Sequence, residues 1–347
     1  MKLKNIIIAL SAVVAFSACS KDDDGKKPSF PNGTAKLSAS LVAKSDVADA
    51  NALPGESKIN NLTVLAFDAD GDFLGADTKG SLNAEGSVNI GDFWVPAGGT
   101  KIVFVANAPA TVFNSSIQTY ADFDVVLALL SNQEQANLTM STQEIDFEPL
   151  AADEEYYIGY SDQVNLGGIS KLWLTRLPAR LQVGTVSTNF TGYMAPKTVF
   201  ISEVYFEDMK AKSRFFSKED WGVVEVNNAD GLYKATSAVY RPDVTISNGN
   251  SPYADLSMIA YTMENTNLER PTRIKVKATL LPDDITKVFD GVINATGKNP
   301  VRIKRNYVYN INFSFSDGSF DTSDPTGQLD LQVSVIPYGK VEDTPEF

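Results

Sequence analysis

Histidine is absent from this chain of 347 residues, and Cys19 is its only cysteine. Ser-His-Asp and Cys-His catalysis, zinc sites built from His or Cys, and internal disulfides are therefore excluded. Basic residues are also scarce, with 30 Lys and Arg against 43 Asp and Glu, and the net charge is −13. Because nucleic-acid binding needs a basic surface, we expect no nucleic-acid partner.

Carboxylates are the abundant reactive groups that remain, but the sequence does not pair two acids in a catalytic pattern. A Gly-rich phosphate loop and a dinucleotide-binding fingerprint are also absent. The acidic run Asp68–Asp72 is similar to the start of an EF-hand loop, yet Phe73 and Lys79 occupy the positions of the required Gly and Glu. We therefore expect no enzymatic activity, no cofactor and no metal, and a hairpin turn at this run.

The amino terminus carries the features of an export signal. Two lysines precede an apolar run over residues 6–16, which is too short to span a bilayer and is typical of a signal peptide. Ser17-Ala18-Cys19 resembles the lipobox of bacterial lipoproteins. We therefore predict a lipoprotein signal peptide over residues 1–19 and lipidation at Cys19. An ordinary secretory signal with an incidental cysteine is the alternative.

Residues 20–33 are predicted to be a flexible linker, because Pro, Gly and charged residues dominate them. Within the linker, Ser20-Lys21-Asp22-Asp23-Asp24 resembles the acidic signal that exports lipoproteins to the cell surface in the Bacteroidetes; a solvated spacer is the alternative. The predicted location is the surface of the outer membrane, with the precursor held by its lipid.

Two stretches near opposite ends of the chain alternate like strands with one buried face. Over residues 34–44 the apolar positions are Ala35, Leu37, Ala39, Leu41 and Ala43. In the second stretch they are Leu329, Leu331, Val333 and Val335. Either stretch could fill the same kind of groove in a sheet, although two ordinary strands are the simpler interpretation.

The rest of the chain is rich in short strands bounded by turn residues. Predicted strands cover residues 61–67, 87–94, 101–106, 144–147, 156–160, 172–186 with a break at Pro178, 198–206, 223–226, 256–263, 273–280, 307–315 and 329–336. One helix is predicted over Tyr120–Leu130, with Phe123, Leu127 and Leu130 on one stripe. This pattern favours an all-β fold of two β-sandwich domains.

Several stretches, taken in order, resemble the fimbrillins, the pilin subunits of type V pili in the Bacteroidales. They are Glu56-Ser57-Lys58-Ile59 with Leu62-Thr63-Val64, Tyr157-Ile158-Gly159-Tyr160-Ser161, Arg176-Leu177-Pro178-Ala179-Arg180, Ile303-Lys304-Arg305-Asn306-Tyr307-Val308-Tyr309 and Leu331-Gln332-Val333-Ser334-Val335. Each motif is weak by itself, whereas their order behind a lipobox, over nearly the whole chain, is much stronger.

The resemblance implies two tandem transthyretin-like β-sandwich domains over residues 34–174 and 175–347, with a short helix in the first. It also implies a precursor whose first strand, residues 34–44, is removed at the surface by a trypsin-like protease. The vacated groove then accepts a strand from a neighbouring subunit. The donor would be the carboxy-terminal strand, residues 329–337. Implied partners are other copies of the chain or related pilins, the protease, and a receptor on a host or bacterial surface.

Cleavage is expected between Lys44 and Ser45. Lys36 lies inside the first strand and Lys58 abuts the next one, whereas Lys44 opens a loop of small and acidic residues. The donor stretch carries more side-chain carbons on its inward face than residues 34–44. That difference would favour exchange by up to about 5 kcal/mol if the groove had room for them.

The sequence favours a structural shaft subunit of a fimbria, polymerised by donor-strand exchange. The alternatives are a tip or accessory subunit, a glycan-binding surface lipoprotein that uses Trp94 or Trp221, and a carboxylate-dependent hydrolase. Departures from the family pattern, among them a polar tail over Lys340–Phe347, leave the shaft, tip and accessory roles open. The cut site has Lys where the best-known members have Arg, and Pro337-Tyr338 replaces the Trp that is common in the final strand.

Overall fold

A computed structural model of the chain describes residues 28–43, 51–113, 116–215, 233–248, 253–265, 267, 269–293, 303–323 and 327–338. Cys19, Lys44, Ser45, Trp221 and the strand predicted over residues 223–226 lie outside the described residues. The described elements are almost all β-strands, so the predicted all-β fold is confirmed.

The strands of the first half are β1 (Thr34–Ala43), β2 (Lys58–Ile59), β3 (Leu62–Phe67), β4 (Phe73–Lys79), β5 (Ala84–Glu85), β6 (Ser87–Pro96), β7 (Lys101–Ala106), β8 (Leu127–Leu129), β9 (Met140–Ser141), β10 (Ile145–Asp146), β11 (Glu155–Ile158) and β12 (Leu172–Arg176). The helix α1 covers Tyr120–Asp124, and single 3-10 turns cover Ala110–Val112, Leu130–Asn132 and Leu166–Gly168. None of the described helices is long and apolar enough to cross a membrane.

Nine of these strands, all except β2, β5 and β8, form two facing sheets. In one sheet, β1 lies between β6 on one side and β11 with β12 on the other. In the other, the order is β4-β3-β7-β9, and β10 also pairs with β7. β12 pairs with β1 through its first residues and with β9 through its last, so it joins the two sheets. Inward side chains of both sheets fill the space between them, including Phe93 and Phe104, whose ring centroids lie 5.8 Å apart.

The outer face of the second sheet is buried as well. Val103 and Val105 of β7 pack in one cluster with Phe123 of α1 and with Phe215 from the second half of the chain. The rings of Phe123 and Phe215 are stacked, with centroids 5.9 Å apart. Because both faces of this sheet are covered, β3 is apolar along most of its length and every residue in it is buried.

The helix predicted over Tyr120–Leu130 is wrong in its second half, because α1 ends at Asp124. Leu127–Leu129 instead form β8, which pairs antiparallel with a strand of the second half, Lys212–Arg214. The two consecutive valines after α1 are stiff β-branched residues that disfavour helix. Pairing with a strand distant in sequence then overrides the helical spacing of the leucines.

The hairpin turn predicted at Asp68–Asp72 is confirmed, and it joins β3 to β4. The carboxylate of Asp68 accepts hydrogen bonds from the backbone N–H groups of Asp70 at 3.0 Å and Asp72 at 2.8 Å. Gly71 adopts a φ of 84°, which glycine reaches without strain. The carboxylate of Asp68 therefore shapes a turn here.

The strands of the second half are β13 (Ala179–Asn189), β14 (Thr198–Lys210), β15 (Lys212–Arg214), β16 (Tyr233–Thr236), β17 (Val244–Ser247), β18 (Tyr253–Thr262), β19 (Arg273–Leu281), β20 (Ile285–Val292), β21 (Tyr307–Ser316), β22 (Gly327–Gln328) and β23 (Asp330–Pro337), and a 3-10 turn covers Gly192–Met194. One sheet has the order β18-β13-β21-β23, and the facing sheet has the order β16-β14-β19-β20-β22 with β17 also on β14. Among the described residues, β21 is the only partner strand of β23, which therefore forms an edge.

The chain passes from the first sandwich to the second at Leu177 and Pro178. β12 continues to Arg176, a little beyond the boundary expected at residue 174, and β13 begins at Ala179. The predicted break at Pro178 is confirmed, because proline has no N–H to offer a sheet. The two strands on either side of it carry the arginines that hold the sandwiches together.

Candidate strand-exchange site

β1 is a central strand although it precedes every other described strand in the chain. It pairs antiparallel with β6 along one edge. Along the other edge it runs parallel to β11 at Lys36–Ala39 and then to β12 at Leu41–Ala43. Because both edges are paired, a sheet without β1 would carry two rows of unpaired backbone N–H and C=O groups. An added strand of matching register can satisfy such rows.

The inward face of β1 alternates small and large side chains. Ala35, Leu37, Ala39, Leu41 and Ala43 have 0% of their surface exposed, as the sequence pattern predicts. Burial of each leucine contributes about 2 kcal/mol and burial of each alanine considerably less. Most of the apolar stabilisation of β1 therefore comes from its two leucines.

The alanines of β1 lie beside bulky neighbours. Ala39 stands opposite Ile90 of β6 and Ile158 of β11, and both isoleucines are buried. Side chains directly opposite one another in a sheet have Cβ atoms about 5 Å apart. Val95 and Leu174 stand opposite the alanines at the two ends of the strand. The leucines of β1 also have bulky neighbours, Phe93 with Tyr156 and Val88 with Leu172, so the groove is closely packed along the whole strand and holds alanine at three of its inward positions.

Gly159 lies where the neighbour of β1 changes from β11 to β12. Its φ is 81°, and a Cβ atom at this position would lie 2.0 Å from the carbonyl oxygen of Ser40. Glycine is required for so close an approach of two backbones. The groove thus fits the main chain of β1 as closely as its side chains.

The outward face of β1 carries a charged cluster that spans three strands. The Nζ atom of Lys36 lies 2.7 Å from the carboxylate of Asp92 on β6 and 3.1 Å from that of Glu155 on β11. The hydrogen bond to Asp92, followed by the one to Glu155, raises the pKa of Lys36 to about 12. Removal of β1 would leave these two carboxylates without this lysine.

Three lysines lie between residues 34 and 58, and the backbones of two are held in place. Lys36 sits inside the central strand. The N–H of Lys58 donates to the carbonyl of Gly55 at 3.1 Å, and its own carbonyl accepts from the side-chain amide of Asn107 at 2.6 Å. Proteases need an accessible, extended backbone, which neither residue offers.

The chain that follows residue 51 enters a buried junction between the two sandwiches. The carboxylate of Glu56 accepts hydrogen bonds from Arg180 of β13 and, at 2.6 Å, from the hydroxyl of Tyr261 of β18. Arg176 of β12 donates from Nε to the carbonyl of Glu56 at 2.9 Å and from Nη2 to the hydroxyl of Ser57 at 2.7 Å. Residues 56 and 57 are therefore fixed to both sandwiches without the help of β1.

The same junction holds the residue that follows β23. Tyr338 is fully buried, and its hydroxyl lies 3.4 Å from the carboxylate of Glu56. Its ring covers the guanidinium groups of Arg176 at 4.7 Å and Arg180 at 5.3 Å. Burial, reinforced by the charge of Glu56, holds the pKa of Tyr338 well above its ordinary value. The carboxyl end of β23 and the chain after β1 thus share one polar cluster.

The four predicted donor residues pack in the core of their own sandwich. Val333 is 3% exposed, and Leu329, Leu331 and Val335 are partly buried against the same core. A Cβ atom on Gly291 of β20 would lie 3.2 Å from Leu331, so this leucine sits against the facing sheet. The structure places these side chains in the second sandwich, and their transfer to a neighbour stays a prediction.

Several residues that carry the family resemblance meet at the junction. The side-chain oxygen of Asn306 accepts a hydrogen bond from Arg176 at 3.2 Å, next to the contacts of Glu56 and Arg180. Sequence reasoning missed Tyr261 and Tyr338 as parts of this cluster. A bulky aromatic directly after an alternating strand was the available signal for Tyr338. The described residues contain no group of three or more acidic, His or Cys side chains placed to hold a metal ion.

Comparison with known families matches each half of the chain. The family described as major fimbrial subunit protein (FimA) matches residues 35–192. The family described as fimbrium tip subunit Fim1C-like, C-terminal domain, matches residues 177–338. A protein of Parabacteroides distasonis called "Putative fimbrium tip subunit Fim1C" is 37% identical over 341 residues, which cover 92% of this chain and 88% of that protein.

Solved structures share the architecture. The crystal structure of a "putative cell adhesion protein" from Parabacteroides distasonis is 35% identical, with a TM-score of 0.76 over 89% of this chain and 98% of that one. A fimbrilin (FimA) from Porphyromonas gingivalis has a TM-score of 0.60 at 16% identity, over 89% of this chain and 99% of that one. At that identity, the likeness to FimA shows a common fold.

Proposed function

Because the chain belongs to the fimbrillin family of the Bacteroidales, we propose that it is the tip subunit of a fimbrium. The observation that carries the proposal is the 37% identity, over 92% of the chain, to a relative that is named a tip subunit. The tip-subunit family that matches residues 177–338 supports it. The sequence alone favours a shaft subunit, and the relatives favour the tip alternative instead.

In this proposal the precursor is a surface lipoprotein with lipid at Cys19 and a spacer over residues 20–33. A cut between Lys44 and Ser45 removes the lipid anchor and β1 together, because both precede the cut. The backbone contacts of Lys36 and Lys58 support Lys44 as the site that a trypsin-like protease reaches. The junction at Glu56 supports a stable product, because it holds the new amino-terminal region to both sandwiches.

The proposed assembly step is donor-strand exchange in which this subunit is the acceptor. A strand of a neighbouring pilin replaces β1 and forms main-chain hydrogen bonds with β6 on one side and with β11 and β12 on the other. The central place of β1 in its sheet and the complete burial of its inward side chains support this step. A vacant groove would leave a core open to water, so an occupant is strongly favoured.

The acceptor groove alone can join a terminal subunit to a fibre, so a tip subunit has no need to donate a strand. The packing of Val333 in its own core and of Tyr338 in the junction supports retention of β23 after processing. The competing proposal, which the family resemblance implies, is that the subunit also donates a strand with Leu329, Leu331, Val333 and Val335. It requires that β23 is free of its own core in the monomer.

Immunogold electron microscopy of intact fimbriae tests the proposed position. An antibody against the second sandwich should label the free end of each fibre, and cells that lack the gene should show no gold. Gold spread along the fibre would identify a shaft subunit, and gold confined to the cell envelope would identify an anchor; either result contradicts the proposal.

A further inference from the structure

We infer that the groove of β1 accepts a strand from a different subunit and rejects the carboxy-terminal strand of a second copy of this chain. The groove fits small side chains at three inward positions and favours a basic residue at one outward position, and β23 offers neither. This inference rests on the proposed acceptor role and adds the kind of strand that the groove takes.

The size of the groove provides the first argument. At its centre, Ala39 is held between Ile90 and Ile158, and none of the three side chains has more than 7% of its surface exposed. A branched side chain in place of this alanine would meet two β-branched neighbours on adjacent strands and the core beneath them. Interiors packed in this way accommodate extra methylene groups only by shifting side chains or backbone.

The residues of β23 cannot avoid this conflict in any register. One face of the stretch presents branched side chains throughout: Leu329, Leu331, Val333 and Val335. The other face presents Asp330, Gln332, Ser334 and Ile336, so it would place three polar groups and one branched side chain in an apolar groove. Because side chains alternate strictly along a strand, every alanine position that aligns with residues 328–336 receives either a branched or a polar residue. The extra carbons of the donor stretch therefore count against exchange into this groove.

Charge provides a second, independent argument. Asp92 and Glu155 lie on either side of the outward position that Lys36 fills, and their side chains are 65% and 42% exposed. A strand with Lys or Arg at this position restores both ion pairs. The outward residues of β23 include no base, and Asp330 would add a third carboxylate near the other two.

The occupant that fits is a pilin strand with the pattern of Ala35–Ala43. In order, that pattern is small, basic, leucine-sized, small, small, any residue, leucine-sized, any residue, small; the fourth position is small because Ser38 is buried although it faces outward. A subunit whose groove rejects its own carboxy-terminal strand cannot form a homopolymer by this route. It can join a fibre only through a different pilin, as a subunit present once at the end of a fibre would.

A displacement assay tests the selectivity directly. The chain from residue 20 onward, with a specific protease site in place of residues 44–50 and a fluorophore at its amino terminus, is folded and then cut. Unlabelled peptides then compete for the groove. A fall in the fluorescence anisotropy of the labelled strand measures its release. The peptide of residues 34–43 should displace the labelled strand at a concentration about tenfold or more below that needed for the peptide of residues 328–337.

Matched peptide variants separate size from charge. In the peptide of residues 34–43, Ala39→Val enlarges an inward side chain and should weaken displacement about tenfold, whereas Ser40→Val enlarges an outward one and should have little effect. Lys36→Glu should also weaken displacement, and added salt should reduce that defect, because the carboxylates of Asp92 and Glu155 are exposed.

The outcomes distinguish the inference from the proposed function. Equal displacement by the peptides of residues 34–43 and 328–337 would overturn the selectivity and leave the acceptor role intact. If the Ala39→Val and Ser40→Val peptides lost displacement equally, the size of the inward side chain would not explain the selectivity. Failure of the peptide of residues 34–43 to displace its own labelled copy would contradict the acceptor role, and the inference with it.

Discussion

Lys210, the last residue of β14, is 2% exposed, and burial followed by the nearby charge of Arg270 lowers its pKa to about 8. An unfolded chain holds the proton of a lysine up to a pH of about 10.4. Between pH 8 and pH 10 the folded state therefore binds fewer protons than the unfolded state. Folding stability must rise with pH in this window, since deprotonation is easier in the folded state.

We predict that Lys210→Met removes most of the dependence of the free energy of unfolding on pH between 8 and 10, because methionine fills a similar volume and does not titrate. The wild-type protein should gain about 2 kcal/mol between pH 7 and pH 9.5, and the variant should lose most of that gain. Urea unfolding at a series of pH values measures both effects. Parallel pH profiles for the two proteins would contradict the assignment to Lys210.

The junction shows which contacts of single residues a sequence can predict and which it cannot. Arg176, Arg180 and Asn306 are visible as members of short motifs, but the motifs do not say what the side chains contact. Their partners Glu56 and Tyr338 lie far away in the sequence and come together only when the two sandwiches pack. A contact of that kind leaves no local pattern, so it could not be predicted.

At the scale of whole elements, alternation identified the buried faces of both β1 and β23 correctly. It could not identify which sheet buries each face. β1 lies in the centre of the first sandwich, and β23 lies on β21 at the edge of the second. The helix predicted over Tyr120–Leu130 failed for a related reason, because β8 takes its strand form from pairing with β15.

We predict that Val333→Asp destabilises the isolated subunit by about 3 kcal/mol, because it buries a charge without a partner in the second sandwich. For domains of this size, the melting temperature should fall by about 10 °C. The matched change Ser334→Asp places the same side chain on the exposed face of β23 and should have little effect.

Calorimetry of the two variants decides where β23 resides before assembly. If Val333→Asp and Ser334→Asp both melt like the wild-type protein, the strand is not seated in its own core. In that case a failure of Val333→Asp to form fibres would favour β23 as a donor strand, against its retention in a tip subunit.

We predict that Lys44→Ala blocks processing and leaves a precursor that still contains β1. The groove then remains filled by a tethered strand, whose high effective concentration excludes a competitor. Immunoblots of surface fractions should show the longer chain and no incorporation into sheared fibres. Lys58→Ala is the matched control and should be processed normally, because the backbone at Lys58 is held by Gly55 and Asn107. Normal fibres labelled by the Lys44→Ala protein would refute the site.

At the scale of the whole molecule, one polar cluster connects the two sandwiches, the chain that follows β1 and the residue that follows β23. Glu56 belongs to the chain that follows β1, and Tyr338 follows β23. Because their contacts do not involve β1, the proposed loss of that strand leaves the contact between the sandwiches in place. The groove can then change its occupant while the rest of the molecule keeps its form.

The frequency of strands and turns in the sequence was sufficient to predict two sandwiches. It was not sufficient to decide between a shaft and a tip. The fold is shared even with a fimbrilin at 16% identity, so the position of a subunit in the fibre must depend on finer features. We infer that the pattern of small and large residues along β1 is one such feature, because Ala39 is held between two buried isoleucines on adjacent strands.

The most direct test of the central claim is the amino-terminal residue of this chain in fimbriae sheared from cells, determined by mass spectrometry. We expect that the chain begins at Ser45, with residues 34–43 absent and the groove filled by another pilin. A chain in those fibres that still carries residues 34–43, or that begins at a lipidated Cys19, would contradict removal of β1 as the step that permits assembly.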